Sequence, residues 1–104
     1  MDQEQLLAQI KARLAEVYGN RLKGAILYGS EARGEATEDS DIDIMVLLHG
    51  EVELGKDLRR CIDAVYPLSL DVGRPISPAV VNANEYEAQE WPLYRKVRRE
   101  GLPA

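Results

Sequence analysis

The sequence has one cysteine, Cys61, and one histidine, His49, among its 104 residues, too few for an internal disulfide or a Cys/His metal cluster. A lone thiol fits a reducing compartment, so the expected location is cytoplasmic. No apolar run approaches the roughly 18 residues needed to cross a bilayer, and Met1-Asp2-Gln3-Glu4 lacks the basic-then-apolar pattern of an export signal. Neither a membrane span nor secretion is expected. Basic charge is also short: 13 Lys and Arg stand against 18 Asp and Glu, a formal net charge of −5, which disfavours indiscriminate binding to a phosphate backbone. Direct nucleic-acid binding is therefore not expected. What the chain does have is 45% hydrophobic residues, enough at this length for a core without staples. Residues 1–104 are read as a single domain.

From Asp2 onward, Leu6, Ile10, Leu14 and Val17 recur at helical spacing, with Asp2 and Gln5 placed as a capping box and Gly19-Asn20 as the stop. Lys23–Tyr28 is short, apolar and bounded by glycine, which predicts a buried strand. Gly29–Ser40 is rich in Gly, Ser, Thr and charge and predicts a loop with one helical turn. Asp41–Leu48 begins in strict alternation and becomes continuously apolar, a strand whose two aspartates project from one face. A helix is predicted from about Glu53 to Tyr66, stopped by Pro67, with a strand over Leu68–Val72. A turn around Pro75 and Pro78 follows, then helical signals over Asn82–Glu90 and Pro92–Glu100. This order predicts an α/β fold of the α+β type, a small mixed sheet flanked by helices.

The chemistry is concentrated between the two strands, from Gly29 to Asp43. Gly29 lets a polyanion approach the main chain, Ser30 offers a hydroxyl and an N–H, and Arg33 can give a forked contact to phosphate oxygens. Asp41 and Asp43, two apart on a strand, set their carboxylates side by side. Such a pair repels itself, and its simplest rationale is a hard divalent cation such as Mg²⁺ bound together with substrate phosphates. Two such ions can stabilise both the attacking and the leaving oxygen of an in-line displacement at phosphorus. Taken alone, Gly29-Ser30 is an ordinary turn and Asp-x-Asp an ordinary solvated strand end; the two together outweigh that reading. Arg95, Lys96, Arg98 and Arg99 read as a solvated helix face, and Trp91 and Tyr94 beside them as core, interface or docking residues.

Gly29-Ser30, ten residues, then Asp41-Ile42-Asp43 is the pattern G-S-x₁₀-D-x-D and resembles the signature of nucleotidyltransferases with a DNA polymerase β-like palm. The stretches Gly29–Gly34 and Ser40–Ile44, with the Glu100-Gly101-Leu102 tail, resemble more closely the minimal nucleotidyltransferases, over the whole chain. That resemblance implies the nucleotidyltransferase fold, ATP as the donor of AMP, Mg²⁺ as cofactor, and Gly29, Ser30, Arg33 and Ser40 as nucleotide-binding residues. It also implies a third carboxylate on the strand beside Asp41 and Asp43, to which Asp71 in the expected strand is assigned. The acceptor it implies is a tyrosine on a HEPN-domain toxin, with this chain as the antitoxin. An antitoxin that neutralises its partner by occlusion alone is the competing expectation, and modification of a small molecule a weaker one.

Overall fold

The computed structural model describes residues 1–103. Helix α1 (Gln3–Tyr18) begins with the expected capping box: the Gln5 N–H donates to the Asp2 carboxylate at 2.8 Å and the Asp2 N–H to Gln5 Oε1 at 3.0 Å. After a 3₁₀ turn come β1 (Leu22–Tyr28), a single helical turn α2 (Ser30–Arg33), β2 (Ile42–Leu48), α3 (Leu54–Val72), β3 (Ile76–Asn82), α4 (Ala83–Ala88), α5 (Pro92–Glu100) and a short β4 (Leu102–Pro103). The sheet order is β3-β2-β1-β4. β2 and β3 are parallel across the α3 crossover, and β1 is antiparallel to both β2 and β4. The expected mixed sheet is present. No helix among the described residues is long and apolar enough to cross a membrane.

Strand alternation sorts the core into two layers. Ile42, Ile44, Val46 and Leu48 of β2, with Ala25 and Leu27 of β1, pack under α1 and α3 against Ile10, Leu14, Cys61, Val65 and Leu68. Met45 and Leu47 face the other way, onto Tyr86 of α4 and Tyr94 and Val97 of α5. Each such side chain withdrawn from water contributes about 1.5–3 kcal/mol, so β2, apolar on both faces, is the spine of the molecule. Asp57, 2% exposed, ties the first turn of α3 to the end of the 3₁₀ turn through two 2.9 Å hydrogen bonds from the Arg21 guanidinium, which hold its carboxyl below the usual carboxylate range.

The region after Tyr66 differs from the sequence expectation. Pro67 does not stop α3; the helix runs on through it to Val72 and ends at Gly73, whose φ of 72° supplies the left-handed cap. A proline inside a helix loses one backbone hydrogen bond and crowds the preceding turn, but Val65 and Leu68 on either side are buried to within 1%, and that burial carries the helix forward. Leu68–Val72 is therefore helix, not strand. The true third strand is β3, in the segment expected to turn. Pro78 is tolerated there because β3 is an edge: the Ile42 N–H donates to the Pro75 carbonyl, so alternation turns the backbone of Pro78 to the open side, where no N–H is needed. Since Pro67 is exposed, Pro67→Ala should restore the missing bond and stabilise the fold by about 1–3 kcal/mol. Urea unfolding followed by circular dichroism checks this, and an unchanged midpoint would mean that the helix bends to absorb the proline without cost.

Candidate active site

β1 ends where β2 begins, so that Tyr28 pairs with Asp43 and the chain must leave the sheet at once. Gly29 makes that exit with φ 75° and ψ −152°, a region essentially confined to glycine. A Cβ placed on it would lie 2.5 Å from Asp43 Oδ2. The backbone and the carboxylate are thus in close approach by virtue of what Gly29 lacks. α2 then turns back, with the Arg33 N–H donating to the Gly29 carbonyl at 3.1 Å, which brings the Arg33 guanidinium to the same corner.

Asp41 precedes β2 and Asp43 lies within it, both on the sheet face opposite α3. Asp43 is also in register with Ser77 of β3, and Ser77 Oγ donates to Asp41 Oδ2 at 3.2 Å. Burial first, then the neighbouring Asp41 charge, push the Asp43 carboxyl above the usual range, against the opposing pull of Lys96 and Arg33. The Tyr28 hydroxyl is pushed up for the same two kinds of reason, burial first and then Asp43. The corner is one in which negative charge is held at a cost and a cation would relieve it.

The structure brings Gly29, Ser30, Arg33, Asp41 and Asp43 together at one end of the sheet. Asp71 does not join them. It lies in the last turn of α3, which covers the opposite sheet face, where it lines a depression with Met1, Leu6, Glu31 and Arg74. Asp71 fits a third carboxylate only if Leu68–Val72 is a strand beside β2, and the burial of Leu68 makes that segment helix. No acid lies on β3, whose residues are Ile76–Asn82, and among the described residues no three His, Cys, Asp or Glu side chains come together to hold a metal. Ser40 is engaged within the loop: its Oγ accepts the Thr37 N–H at 2.9 Å, and its carbonyl accepts from Arg74 Nε at 2.9 Å.

Three further residues belong to this corner, none of which the sequence reading assigns to the site: Lys96 reads there as part of a solvated helix face, and Glu100 as part of the tail. Arg74 joins the Ser40 carbonyl to Glu31 Oε2, also at 2.9 Å, and so braces α2 against the loop before Asp41. Glu100, at the end of α5, accepts from the Gly29 N–H and from Arg33 Nη1, both at 3.0 Å on the same oxygen. The Glu100 carboxyl is held below its usual range, against partial burial, by the Gly29 N–H and Arg33, with a smaller contribution from Lys96 one turn earlier, whose charge also opposes the rise at Asp43. The basic run of α5 is therefore divided: Lys96 serves the aspartate corner, while Arg98 folds back over the Tyr86 ring and donates to the Gln89 carbonyl at 2.9 Å. The one local signal for Glu100 is the glycine after it, since a Cβ on Gly101 would collide with the Val97 carbonyl and Ile26.

This fold, with paired carboxylates beside a glycine turn, is that of a nucleotidyltransferase, and the chain belongs to the nucleotidyltransferase domain family, which residues 7–102 match. It is 36% identical over 103 residues to MJ0604 of Methanocaldococcus jannaschii, provisionally named a protein adenylyltransferase, covering 97% of this chain and 96% of the relative. A solved structure described as a minimal nucleotidyltransferase, a provisional assignment, is 30% identical with a TM-score of 0.60, covering 100% of this chain and 97% of that one. A toxin–antitoxin crystal structure with AMP-PNP shares the fold at a TM-score of 0.69 and 19% identity, covering 92% of this chain and 69% of that chain.

Proposed function

We propose that this nucleotidyltransferase transfers AMP from ATP to a hydroxyl of a partner protein, as the antitoxin of a toxin–antitoxin pair. The acceptor we assign is a tyrosine of a HEPN-domain toxin. The observation that carries the reading is the meeting of Asp41 and Asp43 with the Gly29 turn and Arg33 at one sheet end. The name of the archaeal relative supports adenylyl transfer to protein, and the toxin–antitoxin structure with a nucleotide analogue supports both the donor and the kind of partner.

In this reading Gly29, Ser30 and Arg33 bind the triphosphate and Ser40 fixes the loop that delivers Asp41. Asp41 and Asp43 fit a magnesium ion: Mg²⁺ takes one or two protein carboxylates and completes its shell with water and substrate phosphates, and the raised Asp43 carboxyl marks where positive charge is wanted. A second ion would have only the same two carboxylates as protein ligands. Bound there, the metal would offset charge on the phosphates during displacement. The acceptor oxygen forms its bond to the α-phosphorus as the bond to the departing pyrophosphate breaks, and the hydroxyl proton is given up to water.

The test is to incubate the protein with Mg²⁺, ATP and the product of the adjacent gene, and to weigh that product by mass spectrometry. The expected result is the addition of whole AMP masses, mapped to tyrosine by fragmentation. An unmodified partner, neutralised equally well by the wild type and by a chain carrying Asp41→Asn and Asp43→Asn, would overturn transfer in favour of occlusion.

A further inference from the structure

We propose that Glu100 is an internal stand-in for the substrate's phosphate: its carboxylate occupies the donors that the triphosphate needs, so that nucleotide binding must displace it and its charge sets nucleotide affinity. The inference rests on the reading of Gly29 and Arg33 as phosphate ligands. Its own ground is the convergence of those two donors on a single oxygen, Glu100 Oε1, at 3.0 Å each. A main-chain N–H and a guanidinium pointing at one anionic oxygen are the contacts a phosphate oxygen makes. The carboxylate reaches them from α5, a chain distance of 71 residues from Gly29, so the contact is tertiary and can be released without unfolding the turn.

Charge arithmetic makes the occupation consequential. Arg33 and Lys96 are the cations that act on Asp43 and Glu100; Asp41, Asp43, Glu35 and Glu100 are the acids around them, and the nearby Arg74 is neutralised by its own partner Glu31. An arriving polyphosphate meets an acid-rich site in which Arg33 is already shared between Glu35 and Glu100. Release of Glu100 frees Arg33 Nη1 and the Gly29 N–H together, while Glu35 keeps Arg33 Nε. The carboxylate would then turn away by rotation of its own side chain, because the Gly101 N–H is bonded to the Val97 carbonyl at 2.7 Å and β4 is paired with β1.

The sign of one substitution separates this from a supporting role. Glu100→Gln keeps the shape and an acceptor for Gly29 but removes the competing charge, so ATP in the presence of Mg²⁺ should bind about fivefold more tightly by isothermal titration calorimetry. Tripolyphosphate without metal should show the same direction. If Glu100 merely holds Arg33 in place, Glu100→Gln weakens or does not change binding, and the inference is overturned. Arg33→Ala is the control for the underlying reading: it should weaken ATP binding and remove the gain from Glu100→Gln. ATP binding indifferent to Arg33→Ala overturns the phosphate-site reading, whereas binding that depends on Arg33 but does not tighten in Glu100→Gln overturns only the role of Glu100. Glu100→Asp, too short to reach both donors, should tighten binding as well, so that the inference does not hang on one variant.

Discussion

Asp43→Asn should abolish AMP transfer and yet raise the melting temperature of the nucleotide-free protein. The loss of activity follows from the carboxylate's place between Gly29 and Asp41: a metal contributes several kcal/mol to the transition state, and about 4 kcal/mol is already a factor of roughly a thousand in rate. The gain in stability follows from the opposite balance in the empty site. Burial and Asp41 raise the Asp43 carboxyl, so the native state holds the proton more firmly than the unfolded chain does, and ionisation costs stability as the pH rises past the ordinary aspartate value of about 4. Asparagine avoids that cost. The advantage of the variant should be present at pH 7 and fade below about pH 4, which a thermal melt series reads directly. A variant that loses activity and stability together would mean that Asp43 holds the fold rather than a cation.

Gly29→Ala should be as damaging without touching a charged group. The backbone at φ 75° and ψ −152° costs a side chain on the order of 1–3 kcal/mol, and the added methyl would sit 2.5 Å from Asp43 Oδ2. One of the two must move. Since the turn is held by the Arg33 N–H on the Gly29 carbonyl and by the β1 strand that runs into it, the aspartate yields, and a displacement of even about 1 Å in a group that acts in catalysis can cost roughly a hundredfold in rate. The measurement is transfer rate beside unfolding free energy. Full activity in Gly29→Ala would show that the close approach plays no part in catalysis. Ser30→Ala, one residue on but free of both constraints, should leave stability nearly unchanged.

The segments legible in the sequence were those whose signals are local. The Asp2 and Gln5 cap, the apolar strip from Leu6 to Leu14, and the alternation from Asp41 to Ile44 each state their structure within a few residues. Gly29-Ser30 and Asp41-Ile42-Asp43 flank one loop between two consecutive strands, which by itself brings them to one corner. What failed depended on partners far away in the chain. Leu68–Val72 is short and apolar, and such a run suits a strand or a buried helix turn equally; Pro67 argued for a break, and packing under the sheet decided otherwise. Ile76–Asn82 carries Pro78, which argues against a strand except at an edge, and edges are a property of the whole sheet. The misplacement of Asp71 followed from that one error. Glu100 and Arg74 were missed because ordinary surface charges at helix ends look the same whether or not a turn 71 or 34 residues away is waiting for them.

The pairing of β4 with β1 bears on how the protein is made. During synthesis both aspartates and the Gly29 turn leave the ribosome well before Leu102 and Pro103, the residues that cover the outer edge of β1. Until then Ile26 and Leu27 lie on an open strand edge, the kind that recruits neighbouring chains, and Gly29 lacks its anchor from Glu100. The growing polypeptide thus carries the aspartate corner before its fastening, so a nascent chain stalled before Leu102 would be both inactive and prone to stick to its neighbours.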